Sequence, residues 1–264
     1  METMKRATGE ERALARATIY RLAALAFSYP TEEAVAELHR ALEASAVAAD
    51  LIDPVTAAAA EGLAKDLAVT DRHTLETAYQ RVFTLSYSED CPVHETAFSA
   101  KHLFQQATQQ ADLAGFYRAF GVDVHLERSD HLAVELEFCY LLTLKEARAR
   151  SNRELDHIEV CRQTQRTFLR DHLARWAPLI GNRIIVTGAG TWYERAGWLL
   201  LGFIAAEERY LRLGAIERYR DDPILIADEP GELTCPLLDM PIETLIEEPT
   251  ASGKEPPRVV ARPR

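Results

Sequence analysis

The sequence has no apolar stretch long enough to cross a membrane. Its most apolar run, Ala196–Ala206, stops at Glu207 and Glu208, whereas a membrane-spanning helix needs about 20 apolar residues in succession. The first residues, Met1–Glu11, carry charges of both signs and lack the apolar core and cleavage site of a signal peptide. We therefore expect a protein with no stable membrane insertion, located in the cytoplasm.

Cysteine is scarce and scattered. The four cysteines, Cys91, Cys139, Cys161 and Cys235, lie far apart in the chain. A chain of 264 residues can bury a core large enough to fold without disulfide bonds, and cytosolic proteins keep their thiols reduced. The cysteine pattern therefore agrees with the cytoplasm as the predicted compartment.

Positive charge is in deficit. The 30 Lys and Arg residues face 41 Asp and Glu residues, which gives a formal net charge of -11 at pH 7. Proteins that bind the phosphates of nucleic acids need an excess of Lys and Arg to displace counterions, so we predict no nucleic-acid partner. An acidic surface suits a basic polypeptide partner, and solubility alone would explain it equally well.

Alternating strand patterns of useful length are absent, whereas apolar residues recur at three- and four-residue spacing along most of the chain. This periodicity predicts an all-α fold, a multi-helix bundle. Thr8 and Glu11 form a capping-box pattern that begins the first helix. Thr31 caps a second helix, and Asp53 caps a third with Pro54 at its first position.

Further helices follow in the predicted bundle. They are a core helix at about Asp71–Leu85, a long helix that ends at Gly121, a helix at about Asp130–Ala149, a helix from Ile158 that Pro178 closes after Trp176, and a last helix at about Thr191–Leu213 that Gly214 ends. Residues 1–222 thus form one helical domain, with a hinge or connector at about 121–130. Frequent prolines make residues 223–264 a tail that is partly docked or disordered.

Two residue pairs have the spacing of metal ligands, and each has a structural alternative. Cys91 and His94 are spaced like zinc ligands, but no second pair exists to complete the site. Glu154 and His157 form the Glu-x-x-His unit of di-iron bundles, which needs two copies and occurs here once. Near the start of a helix, a glutamate is favourable without any metal.

Asp130 and His131 form a third pair of interest. A carboxylate beside a histidine could orient a general base, whereas Asp130 could instead cap its helix with His131 packed beside it. The chain has no Gly-x-Ser-x-Gly elbow, Walker loop or dinucleotide fingerprint. We therefore predict a protein that is not an enzyme and binds no metal or cofactor. The alternative is a helical metal-binding protein or enzyme that uses Cys91 and His94 or Asp130 and His131.

Five motifs follow one another in order between Tyr79 and Trp198. They are Tyr79-Gln-Arg-Val-Phe83, Pro92 with Glu95-Thr96-Ala97-Phe98, Ala111 to Gly121 with its Phe-Tyr and Phe-Gly pairs, Glu127-Arg-Ser-Asp-His131 followed by Glu135-Leu-Glu-Phe138, and Phe168 to Trp176 followed by Pro178. In sequence and order they resemble the motifs of the TorD-like redox-enzyme maturation chaperones, the group of TorD, DmsD and NarJ. Ser129 departs from this pattern, because the family usually has proline there, and so does the proline-rich tail.

The resemblance implies an all-helical chaperone without catalytic activity. Its partner would be the immature catalytic subunit of a molybdopterin oxidoreductase of the DMSO reductase family. Many members bind such a client through a twin-arginine leader and hold it until the cofactor is inserted and the enzyme is assembled for export. The sequence leaves open which enzyme is the client, and whether the chain is a monomer or a dimer that exchanges halves at the hinge.

The resemblance makes Pro92 and the Asp130–His131 pair the best candidates for client contact. The complete set of predicted client- or leader-binding residues is Tyr79, Phe83, Pro92, Glu95, Phe116, Tyr117, Glu127, Arg128, Asp130 and His131. The helices around Tyr79–Phe83 and Leu113–Phe120 are expected to form an apolar trough, although such aromatic stripes more often belong to a core. Glu95, Glu127 and Asp130 would supply carboxylates for the arginines of a leader.

Overall fold

The computed structural model describes residues 7–83, 90–100, 102–124 and 128–221. Its helices are α1 (Gly9–Ala26), α2 (Glu32–Ala48), α3 (Pro54–Leu67), α4 (Arg72–Phe83), α5 (Thr96–Ser99), α6 (Leu103–Ala119), α7 (Leu132–Ser151), α8 (Leu155–Phe168), α9 (Ala174–Thr187) and α10 (Trp192–Leu211). Within these ranges there is no β-strand, and the predicted all-α fold is confirmed. The predicted tail at 223–264 lies outside the described residues, and so does part of the predicted hinge, 125–127.

The first three helices begin where the sequence predicts. The Thr8 hydroxyl accepts from the Glu11 N–H at 3.1 Å, and the Glu11 carboxylate accepts from the Thr8 N–H at 2.7 Å. Thr31 caps α2, and Asp53 caps α3, whose first residue is Pro54. Each cap satisfies backbone N–H groups that have no partner inside the helix.

Helix α1 packs against α7, α2 and α10, and α10 packs in turn against α9 and α3. Buried alanines along α1, among them Ala13, Ala17 and Ala23, keep side-chain volume small at these contacts, which lets neighbouring helices approach closely. None of the helices in the described part of the chain is both long and apolar enough to span a membrane.

A buried ionic network ties α1 to α7, α8 and α10. Arg16, which is only 1% exposed, donates to both carboxylate oxygens of Glu207 at 2.7 and 2.6 Å and to Glu146 at 3.1 Å. Gln165 and Tyr20 complete the set by bonding to Arg16 and Glu207. Burial lowers the pKa of Arg16, but the two carboxylates outweigh it, so the pKa stands well above its usual value. These charges are paired and removed from water.

The helix predicted to end at Pro178 continues past it. One π-helical turn, Leu169–Leu173, joins α8 to α9, and Pro178 lies inside α9. Proline has no N–H to give to the carbonyl four residues before it, here Ala174. The Arg218 guanidinium donates to that carbonyl instead, so a distant residue replaces the lost hydrogen bond.

Two other predicted boundaries need correction. The long helix expected before Gly121 is divided into α5 and α6; Gly121 does follow α6 with a positive φ of 76°. The last helix ends at Leu211, and Arg212 caps it by adopting the left-handed conformation itself. Gly214 lies two residues further on and does not end the helix, although its φ is also positive.

Candidate functional site

Two motifs that are distant in sequence meet at one place. The Glu95 N–H donates to the Asp130 carbonyl and the Leu132 N–H donates to the Val93 carbonyl, both at 2.9 Å. This short antiparallel pairing holds the loop before α5 against the segment that leads into α7. The loop motif and the mid-chain motif of the resemblance therefore belong to one site.

The carboxylate of Asp130 lies at the centre of this site and is fully buried. Arg128 donates to its two oxygens at 3.0 and 2.9 Å, and the Thr96 hydroxyl donates at 2.6 Å. Burial raises the pKa of Asp130, but the hydrogen bonds from Arg128 and Thr96 outweigh it, so the pKa is below its usual value. The carboxylate is therefore ionised at neutral pH.

Arg128 connects this carboxylate to solvent. Its side chain is 40% exposed, while that of Asp130 is 0% exposed. Gln106 and Gln110 of α6, with their amide groups turned to accept, place their oxygens 2.7 and 2.8 Å from the same guanidinium nitrogen. The site thus holds a guanidinium between a buried carboxylate and two amides, at a position that solvent can reach.

His131 caps α7. Its Nδ1 atom accepts a hydrogen bond from the Ala133 N–H at 3.1 Å. The interpretation that Asp130 caps this helix is wrong, because the Asp130 side chain bonds instead to Thr96 and Arg128. Asp130 and Thr96 are 34 residues apart in the sequence, so no local sequence pattern predicts their contact.

A second buried group of polar side chains surrounds Glu95. Its carboxylate accepts from His172 Nδ1 at 3.1 Å and from the Tyr219 hydroxyl at 2.8 Å. Burial lowers the pKa of His172, but its hydrogen bond and charge attraction to Glu95 outweigh this, and the pKa is raised. His172 lies in the π turn between α8 and α9, and single π turns are frequent at functional sites.

Glu135 and Trp176 adjoin this group. Trp176 Nε1 donates to Glu135 Oε2 at 3.2 Å, and both side chains are fully buried. Sequence reasoning did not select Glu135, His172 or Tyr219 as site residues. Glu135 lies in a motif of the resemblance and His172 in an apolar helix stripe, so both could have been found; Tyr219 had no signal.

The predicted aromatic residues lie in two separate clusters. Tyr79 and Phe83 are buried and contact Tyr193 edge-on. Phe116 and Tyr117 contact Phe168 instead, and the Tyr117 hydroxyl donates to the Ser129 carbonyl at 2.7 Å. No ring contact joins the two clusters within the described ranges. An apolar trough formed by both clusters remains a prediction.

Pro92 is buried beside the paired segments, and Glu127 lies outside the described residues. The contact of these two residues with a client remains a prediction.

The metal-binding alternative would need ligands beyond Cys91 and His94. Burial raises the pKa of Cys91 to about 12 and lowers the pKa of His94 to about 4, so both side chains favour their neutral forms. No group of three or more His, Cys, Asp or Glu side chains suited to a metal is found among the described residues. Glu154 and His157 form an exposed surface pair 2.8 Å apart.

Comparison with known proteins places the chain in a family. The family model for the nitrate reductase delta subunit matches residues 26–181, which include both paired segments and His172. The chain belongs to the nitrate reductase delta subunit family. This membership confirms the resemblance to the NarJ- and TorD-type redox-enzyme maturation chaperones.

Two individual proteins resemble this member of the delta subunit family. The perchlorate reductase assembly chaperone protein of Dechloromonas aromatica (strain RCB) is 28% identical over 188 residues, which are 64% of this chain and 78% of that protein. A crystal structure described as a redox enzyme maturation protein from Archaeoglobus fulgidus is 20% identical and has a TM-score of 0.45; the match covers 80% of this chain and 99% of that one. The assignment to the delta subunit family rests on the family model.

Proposed function

We propose that the chain is a chaperone that binds the immature catalytic subunit of a molybdopterin oxidoreductase. It holds this client in the cytoplasm until the cofactor is inserted and the enzyme can be assembled or exported. Family membership and the perchlorate reductase assembly chaperone among the relatives support this function. The observation that carries it is the buried, ionised Asp130 carboxylate, whose guanidinium partner is reachable from solvent.

Recognition would proceed by exchange of one guanidinium for another. An arginine of the client takes the place of Arg128 on Asp130, because the planar fork of a guanidinium matches a carboxylate in two hydrogen bonds. Gln106 and Gln110 already accept from a guanidinium at this point, so an incoming arginine meets the same acceptors. Because the two guanidinium groups are similar, the net free energy of their exchange is modest, and the client can be released.

Two exposed apolar side chains begin α6, the helix that carries Gln106 and Gln110. Leu103 and Phe104, at the start of α6, are 65% and 85% exposed. Leu103, Gln106 and Gln110 share one face of α6, since residues three and four apart are neighbours on a helix. A client segment with an arginine followed by apolar residues would therefore contact both the acidic centre and these side chains, as peptide-binding helical surfaces do.

The client can be identified by capture in cells that do or do not make the molybdenum cofactor. We expect the tagged chain to retain the cofactor-free catalytic subunit of a molybdopterin oxidoreductase, and to be absent from the mature enzyme. Asp130→Asn should reduce the captured amount at least tenfold, while Asp50→Asn, at an exposed position, should not. Equal recovery with the mature enzyme would indicate a permanent subunit instead and would reject the proposal.

A further inference from the structure

A pair of acidic side chains lies buried behind the Asp130 site. Glu95 is 1% exposed and Glu135 is fully buried. Trp176 bonds to one oxygen of Glu135, but Oε1 of Glu135 has no hydrogen-bond partner within the described ranges. A buried acceptor without a donor is costly and is rare in native structures. This oxygen therefore points to a donor that the described residues do not supply.

His172 bonds to Glu95, and this bond favours the protonated form of the histidine. Glu135 has no hydrogen bond from a cationic side chain among the described residues. Burial, and then the charge of Glu95, raise the pKa of Glu135 well above its usual value, which disfavours its ionised form. A second cation placed between the two carboxyl groups would allow both to ionise.

The segment of residues 215–221, called the strap below, covers Glu95. The strap has no regular secondary structure. Its Tyr219 bonds to Glu95 through the hydroxyl, and the Tyr219 N–H donates to the Arg175 carbonyl at 3.1 Å. The Arg175 guanidinium lies 4.1 Å from the centre of the Tyr219 ring and donates to the Glu217 carbonyl at 2.9 Å.

The strap is also attached through charged side chains. Arg218 donates to the carbonyl of the buried Ala174 and to the two oxygens of Glu208 at 2.8 and 2.9 Å, and Arg183 bonds to Asp221 at 3.2 Å. Ion pairs of partly exposed side chains contribute little to stability, and a segment without regular secondary structure opens more readily than a core helix. The strap is therefore the part of this region that is most easily displaced.

We propose that Glu95 and Glu135 form a second cation-binding site, for a guanidinium or ammonium side chain of a polypeptide, and that the strap covers this site until the polypeptide displaces Tyr219. The hydroxyl of Tyr219 offers a single donor, whereas a guanidinium offers five and can bond to both Glu95 and Glu135 Oε1. Arg175 is released with the strap, because Tyr219 and Glu217 hold it. The inference rests on the proposed function, since the cation belongs to the client.

Two conservative variants test the site. The probe is a synthetic peptide with two adjacent arginines followed by leucines, titrated into the full-length chain by calorimetry. Tyr219→Phe removes the bond to Glu95 but keeps the ring, and binding should become about fivefold tighter. Tyr29→Phe changes a partly exposed tyrosine of another aromatic cluster. It is the matched control and should leave the affinity for the peptide unchanged.

Glu135→Gln separates a binding role from a structural one. Glutamine has the shape of the protonated glutamic acid and still accepts from Trp176, so the unfolding temperature should stay unchanged. It cannot ionise, however, and binding of the arginine peptide should weaken about tenfold. A variant that loses stability but keeps its affinity would show that Glu135 only supports the core and would overturn the inference.

Hydrogen exchange then distinguishes the two proposals. With the peptide at saturation, amides of the strap should exchange faster, because Tyr219 leaves Arg175, while residues 90–100 should exchange more slowly. Suppose that the peptide binds, but that the strap amides exchange as in the free wild type and both variants bind with wild-type affinity. The inference then fails and the proposed function stands. If the peptide binds neither the wild type nor Tyr219→Phe, the proposed function itself fails.

Discussion

Two of the buried carboxylate sites in the described part of the chain, around Arg16 and around Asp130, differ in how accessible their cations are. Around Arg16, four helices supply a closed network in which the arginine and both of its glutamates are about as inaccessible as the apolar core. Around Asp130, the arginine partner is 40% exposed and comes, like Asp130, from the segment before α7. A closed network fixes the helices, whereas an open one permits its cation to be exchanged. The difference indicates which of the two sites is available to a partner.

The largest effect should come from opening the closed network. Arg16→Met leaves Glu207 buried without its cation, while Glu146 keeps Arg150 and Arg162. Loss of one partner of a buried ion pair costs about 3 to 5 kcal/mol of unfolding free energy. Urea denaturation measures this loss. Arg40→Met, which removes an exposed ion pair with Glu37, is the control and should have little effect. Similar losses for both variants would mean that the network does not fix the fold.

A smaller loss, which a ligand can reverse, should follow from the same change at the open site. Arg128→Met leaves Asp130 with Thr96 but without a cation, which should cost about 1 to 3 kcal/mol. An arginine peptide should restore more stability to Arg128→Met than it adds to the wild type, because it fills the vacated position. Denaturation with and without the peptide measures this. Equal stabilisation of both proteins would place the peptide elsewhere.

The smallest effect should depend on pH. The folded-state pKa of His172 is raised, so its bond to Glu95 contributes fully below the unfolded pKa of a histidine, about 6.5. That contribution, about 1 kcal/mol, should disappear as the pH rises through the folded pKa. The stability difference between wild type and His172→Gln should therefore be larger at pH 6 than at pH 9. A constant difference would show that His172 is neutral in the folded chain.

Local patterns in the sequence predicted where the first helices begin. The wrong prediction at Pro178 arose from a contact between distant residues. Thr8 and Asp53 cap their helices through groups two or three residues away, which a short window of sequence contains. Pro178 failed to end its helix because Arg218, from beyond α10, bonds to the freed carbonyl.

The candidate site shows the same division. The resemblance selected Asp130, Arg128 and Glu95, which the fold brings together. The partners that define their chemistry, Thr96, His172 and Tyr219, come from other elements. Spacing in the sequence carries no information on which side chains from distant elements will meet a buried carboxylate.

The most direct test of arginine binding at Asp130 is a double-mutant cycle between the chain and a peptide. Calorimetry would compare wild type and Asp130→Asn, each titrated with the paired-arginine peptide and with peptides in which glutamine replaces one arginine at a time. We predict that Asp130→Asn weakens the paired-arginine peptide at least tenfold and leaves one of the glutamine peptides unaffected. Equal weakening of every peptide, or of none, would contradict the exchange of an arginine onto Asp130.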